Sequence, residues 1–381
     1  MDTLQILEHL VAIPTVSRDS NLQLIEFVRQ FLEARRIDSR LYMDASGTKA
    51  NLYASLGPVD RGGVLLSGHT DVVPVDGQEW TSDPFRLREY GGRLFGRGAA
   101  DMKGFIACAL RAADLASQRQ LRIPLQLAFS YDEEVGCLGV RSLIEDMTGW
   151  SHKPSFCIVG EPTLLQIAIG HKGKAAIKAT CRGLVAHSAR PDEGLNAIYL
   201  ASDLIGGLRN RQKTIERDGP RDLGYEVPYT TLHVGTIRGG TALNIVPGHC
   251  EIDLEIRNVV ADDPARYVQG IRQDAAEILA TAQRGRAIGD IRIEIVNEYP
   301  GLDTAENAEV VGLVAALTGN RKCVKVDFGS EGGLYSGRVG IPTVVCGPGS
   351  INQAHKPDEF IAMEQLDRCD AMMAALVDRL T

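Results

Sequence analysis

The sequence predicts an α/β protein: a mainly parallel-sheet catalytic domain interrupted by an inserted α+β domain. Three observations carry this. Short, almost continuously apolar runs at 64–67, 123–130, 156–159 and 341–346 alternate with helical stretches, as strands buried on both faces of a parallel sheet do. Near residue 172 the texture changes to apolar residues alternating with polar or small ones, the pattern of half-exposed antiparallel strands. From about residue 290 the buried-strand style returns. At 381 residues the chain is also too long for one ordinary core. The expected division is therefore a larger domain, 1–172 with 289–381, around an insert spanning 173–288.

Leu4, Leu7, Leu10 and Val11 recur at helical spacing, and Pro14 ends that pattern. "LQLIEFVRQFLEARR" is a second amphipathic helix. "GGVLLSGHTDVV" reads as a buried strand, "GFIACALRAADLAS" as a buried helix, and the run ending in "FSYDEEVG" as the next strand. Within the insert, "GKAAIKATCRG" and "YTTLHVGTIRGGT" alternate as strands, and helical patterns cover 194–216 and 264–284. "CDAMMAALVDRL" closes the chain as a helix.

Composition narrows the class. A hydrophobic content of 44%, a charged content of 24% and a net charge of −8 describe a globular protein with neither nucleic acid nor anionic membrane as its partner. No stretch has the length of a membrane span. The N-terminus lacks a basic start followed by a long apolar core, so no signal peptide is expected. The eight cysteines include no CxxC pair and several lie in apolar runs, as in "FCIVG" and "TVVCG". They fit a reducing compartment, and a cytoplasmic location is expected.

Three acids at a strand end, Asp132, Glu133 and Glu134, are by default a solvated turn. Other polar residues at the same topological place change that reading. His69 and Asp71 end one strand, on one face at positions i and i+2. A carboxylate beside a histidine sets the tautomer and basicity of the ring. Asp101 precedes the helix after "GRGAA", Glu161 ends "FCIVGE", and His355 follows the strand "IPTVVCG". Open α/β sheets bind ligands outside the carboxyl ends of their strands. Two imidazoles and several carboxylates suit zinc or a related divalent ion such as cobalt. The glycines near Asp101 make it the best candidate to bridge two ions. One member of the Glu133–Glu134 pair then holds metal while the other serves as general base.

These residues resemble those of the di-zinc amidohydrolase and aminoacylase family. The resemblance rests on "SGHTDVVP", "GRGAADMKG", "YDEEVGCLG", "VGEPT", "AHSARP", "LNIVPG" and "GPGSINQAHKPDE", in the family's order from residue 67 to 359. It implies two zinc ions per chain, one held by His69, Asp101 and Glu161, the other by Asp101, Glu134 and His355. It makes Glu133 the general base and Asp71 the partner of His69. It implies further that the insert is a lid through which the chain forms a homodimer, with His187 polarising the scissile carbonyl in the partner's site. By the same analogy Arg257 grips the carboxylate of a small N-acyl amino acid, and Asn244 contacts substrate near its carbonyl.

Within the family, "DMKGF" and "GPGSINQAHKPDE" are most similar to the acetylornithine deacetylase branch, which implies release of acetate from N2-acetyl-L-ornithine in arginine biosynthesis. Glu331, in "FGSEGGLYSG", is then expected to meet the side-chain ammonium. That loop departs from the branch, which tends to have Thr-Glu-Ala where this chain has Ser330-Glu331-Gly332. Acetylcitrulline or succinyl-diaminopimelate deacylation and dipeptide hydrolysis stay open, as do a metal-free carboxylate hydrolase and a non-catalytic metal-binding dimer.

Overall fold

The computed structural model describes residues 1–283 and 289–381, which form two compact units. Residue 284, the last of an expected helix, and 285–288, the end of the expected insert, lie outside the described residues.

The first unit comprises Met1–His171 and Leu302–Thr381. Its early strands are β1 (Ser39–Met43), β2 (Ala50–Leu56), β3 (Val64–His69), β4 (Arg88–Tyr90), β5 (Arg93–Phe95), β6 (Leu125–Ser130), β7 (Phe156–Pro162) and β8 (Ile167–His171). After the second unit, which holds β9 to β12, come β13 (Leu302–Asp303), β14 (Cys323–Val326), β15 (Thr343–Gly347) and β16 (Phe360–Ala362). The main sheet runs β1-β2-β6-β3-β7-β15-β8-β13, with β14 paired to β8. Its centre, β6-β3-β7-β15, is parallel. Every residue of β3 and β6 is buried, which is why both read as unbroken apolar runs. A small sheet of order β16-β5-β4 brings the chain after His355 beside the segment leading to Asp101.

Helix α1 (Thr3–Ala12) starts in a capping box made by Asp2 and Gln5, and α2 covers Leu22–Glu33. Helix α3 (Gly104–Ser117) is buried along most of its length and packs against α1 and the C-terminal helix Met363–Leu380. Its Ala-rich sequence permits that close approach from several sides. Burying one large aliphatic or aromatic side chain stabilises by about 1.5–3 kcal/mol, so the cluster of Phe105, Ile106 and Leu110 fastens α3 to the sheet. Gly160 of β7 is required there, since a Cβ would lie 2.0 Å from the Phe105 ring.

The second unit, Lys172–Gly301, has a four-stranded antiparallel sheet of order β10-β11-β9-β12. Its strands are β9 (Gly173–Arg182), β10 (Thr231–Gly239), β11 (His249–Asn258) and β12 (Asp290–Tyr299). The long helices Ala197–Asp218 and Pro264–Gln283 pack on it, and Ile177, Ala179, Ile252, Leu200 and Ile271 lie in its core. The sequence places residues 290–299 in the larger domain. They instead pair with β9, and their half-exposed alternation is that of this unit's sheet rather than of a buried parallel strand. Among the described residues no helix is long and apolar enough to cross a membrane.

Candidate metal centre

The first unit gathers His69, Asp71, Asp101, Glu133, Glu134, Glu161 and His355. His69 ends β3, Glu161 lies near the end of β7, and Glu133 and Glu134 follow β6. The Asp101 turn follows Gly98, whose φ of 81° suits glycine, and leads into α3. His355 follows β15.

Asp101 stands between the two imidazoles. Its Oδ1 is 3.0 Å from His69 Nε2 and its Oδ2 is 3.2 Å from His355 Nε2. Glu161 Oε1 lies 3.8 Å from His69 Nε2, and Glu134 Oε2 lies 3.1 Å from His355 Nε2. A ligand atom of Glu133 also falls within 4.8 Å of those of His69 and Glu161. The inner residues are closed off, with His69, Asp101 and Glu161 side chains 1%, 6% and 5% exposed. His355 is open, its side chain 51% exposed.

The electrostatics follow from packing like charges out of water. Burial raises the pKa of Glu161 and of Glu134. Burial also pushes Glu133 up to about 8, with Glu134 and Glu331 adding to it and His69 opposing. Asp101 goes the other way: burial would raise it, but hydrogen bonds from His355 and His69 hold it well below the carboxylate range. Burial likewise opposes a charged His69, yet Asp101 and Glu161 outweigh it and raise that imidazole.

The donor set fits divalent ions. His69 Nδ1 donates to the Asp71 carbonyl at 2.9 Å, so a neutral ring turns its Nε2 lone pair toward Asp101 and Glu161. Tetrahedral bonds of about 2.1 Å give donor–donor edges of about 3.4 Å, and the separations here run from 3.0 to 3.8 Å. Glu134 Oε1 is buried without a hydrogen-bond partner. Several buried carboxyls around one point leave negative charge that cations would neutralise.

Some expectations are refined. The Asp71 carboxylate is 3.7 Å from His69 Nδ1, too far for a hydrogen bond, and the ring is held by the backbone carbonyl instead. The carboxylate accepts from the backbone N–H groups of Glu133 (3.1 Å) and Glu134 (3.3 Å) and from Ser17 Oγ (2.7 Å). It thus ties the His69 strand end to the glutamate pair. Glu331, expected to face a substrate ammonium, is 1% exposed. Ser130 Oγ donates to one of its oxygens, and Ser67 Oγ lies 3.2 Å from the other. Its carboxylate points into the unit because these two hydroxyls flank it. The reading of the sequence missed Ser17, for which "PTVS" carries no signal, and Cys137, whose Sγ donates to Glu133 Oε1 at 3.2 Å. The only sequence signal for Cys137 is its place four residues after Glu133 in "DEEVGC".

His187, Asn244 and Arg257 belong to the second unit. His187 and Asn244 are on adjacent segments, joined by a bridge from His187 to Ile245 and a bond from Ser188 N to the Asn244 carbonyl. The Ala189 N–H donates to His187 Nδ1 at 3.0 Å, which leaves the proton of a neutral ring on Nε2. Arg257, on β11, donates through Nε to Glu255 at 3.1 Å.

Residues 65–379 match the family model for peptidase family M20/M25/M40. The chain is 37% identical over 376 residues to an acetylornithine deacetylase of Myxococcus xanthus, covering 97% of this chain and 95% of that one. Its fold is similar to an M20 family metallo-carboxypeptidase of Sulfolobus solfataricus, with a TM-score of 0.76, 21% identity and 99% of both chains covered. It is also similar to a dinuclear metal-binding M20 peptidase of Bacillus subtilis, with a TM-score of 0.69, 18% identity and 99% and 97% of the two chains covered.

Proposed function

The chain belongs to peptidase family M20/M25/M40 and is a metal-dependent hydrolase; from that premise we propose that it cleaves the amide of N2-acetyl-L-ornithine, releasing acetate and L-ornithine. The observation that carries the hydrolytic reading is the Asp101 carboxylate shared between His69 and His355, with a further acid beside each ring. The named relative supports the choice of substrate.

His69, Asp101 and Glu161 would hold one zinc ion, and Asp101, Glu134 and His355 the other. When bound, such ions supply Lewis acidity and make water easier to deprotonate. The remaining work falls to the chain. Asp71 fixes the backbone of Glu133, and Cys137 orients its carboxylate. Glu133 accepts the proton of the attacking water and returns it to the amine nitrogen as the C–N bond breaks. His187, from the second unit of a partner chain in a homodimer, donates its Nε2–H to the carbonyl oxygen as charge develops there. Asn244, on the segment beside it, contacts the same end of the substrate, and Arg257 binds the carboxylate.

The buried Glu331 favours a second reading. With no acid from that loop free to meet an ornithine ammonium, a neutral N-acetyl amino acid is an alternative substrate. Turnover of acetylornithine, acetylcitrulline, acetylmethionine and succinyl-diaminopimelate by zinc-loaded protein separates the two. Preference for acetylornithine supports the first reading, and equal rates on acetylmethionine remove it. For the dimer, mixing His187→Ala chains with Glu133→Gln chains should restore activity, since one site of each mixed pair has both groups. Verified mixed dimers that stay inactive would show that His187 does not act across the pair.

A further inference from the structure

Arg97 and Glu359 form a buried ion pair, each side chain 1% exposed, with Nη1 to Oε2 at 2.6 Å. Removing two charges from water is costly unless they are well engaged; Arg97 Nε has no hydrogen-bond partner among the described residues, and the contacts that the pair does make lead to the metal centre. Glu359 Oε1 accepts the backbone N–H groups of Ala100 at 3.0 Å and Asp101 at 3.1 Å. The carboxylate therefore grips the backbone of the residue shared by both candidate ion positions.

The other end of the pair reaches His355. Arg97 Nη2 donates to Gln78 Oε1 at 2.5 Å, and Trp80 Nε1 donates to the same oxygen at 3.0 Å. With its oxygen occupied, the Gln78 amide presents Nε2 to the His355 carbonyl at 3.2 Å. Arg97 Nη1 also lies 3.4 Å from the Lys356 carbonyl. His355 has a φ of 61°, a region that residues other than glycine seldom adopt, so its backbone needs external support.

We infer that Gln78, Arg97 and Glu359 are positioning residues: a brace that sets His355 against Asp101 and so governs affinity at the outer ion position. None of the three supplies an atom to the ligand set. The inference rests on the metal reading given above.

The test is Co2+ titration of metal-stripped protein by calorimetry and visible absorption, with thermal melts to follow folding. His355→Ala identifies the outer binding event, and His69→Ala the inner one. The parent should bind two Co2+. Glu359→Gln should weaken the outer ion by about 10–100-fold, the usual range for residues that orient ligands, with an altered cobalt band and a smaller effect on the inner ion. Gln78→Ala removes the link to His355 together with the acceptor of Arg97 Nη2 and Trp80 Nε1, and leaves the Arg97–Glu359 pair in place. It should weaken the outer ion by about 10-fold in protein that still melts cooperatively, and it decides the matter if Glu359→Gln does not fold. Parental affinity for both ions in folded Gln78→Ala overturns the brace while leaving the metal reading intact. Equal weakening of both ions also overturns it. A parent that binds no Co2+ removes the metal reading and the brace together.

Discussion

The inner and outer halves of the metal centre share Asp101 and are built differently. His69 and Glu161 belong to β3 and β7, central parallel strands; His69 pairs with Ser130, Glu161 lies where the β7–β15 register shifts between Val159 and Pro162, and their side chains are 1% and 5% exposed. Glu134 and His355 come from loops, and His355 is 51% exposed with a left-handed backbone. Where a strand carries a ligand, sheet hydrogen bonds already aim it. Where a loop carries one, side chains must do so: Asp71 for the glutamate pair, and Gln78 with Arg97 for His355. The same protein thus uses backbone order inside and polar bracing outside.

The largest expected effect lies where the halves meet. Glu133→Gln should lower kcat by about 10²–10⁴-fold, the typical contribution of a general acid–base group. Both Co2+ should still bind, because Glu133 is adjacent to the ligands without being one of the six inferred contacts. Loss of one ion in this variant would move Glu133 into the ligand set and blur the distinction between halves.

Stepwise chelation should remove the outer ion first, and His355→Ala should bind one Co2+ with near-parental affinity while His69→Ala retains neither activity nor the inner ion. Asp71→Asn, which disturbs the link between them, should cost about 10–100-fold in activity. Simultaneous release of both ions under a chelator would show that exposure does not separate the two positions.

Smaller effects test the scaffold of each half. Gly160→Ala puts a methyl 2.0 Å from the Phe105 ring beside Glu161, and overpacking of this kind costs about 1–3 kcal/mol. A thermal melt should show that loss on the inner side. Asp132→Asn breaks the 2.5 Å pair with Lys49 next to the glutamates. Both side chains are largely buried, so about 1 kcal/mol or somewhat more should be lost, above the usual value of an exposed pair. A melting temperature unchanged by Gly160→Ala would mean that β7 and α3 can move apart more easily than their packing suggests.

The sequence by itself determined that His69, Glu133, Glu134 and Glu161 lie at or just after the ends of buried strands, and that Asp101 leads into a helix. Those signals are local: an apolar run, a spacing of two along a strand, a short motif. It also determined the change of texture near residue 172, since alternation is visible within a few residues. Only the tertiary structure decided that β12 joins β9, because Ile291, Ile293 and Ile295 could have faced either sheet. Only the tertiary structure turned the Asp71 carboxylate toward Glu133 and Glu134 and folded Glu331 inward onto Ser67 and Ser130. Glu359 and Asp101 are 258 positions apart, and Gln78 and His355 are 277 apart. Sequence pattern reports which face of an element is apolar, whereas a hydrogen bond depends on where a distant segment comes to rest, and that is settled by packing.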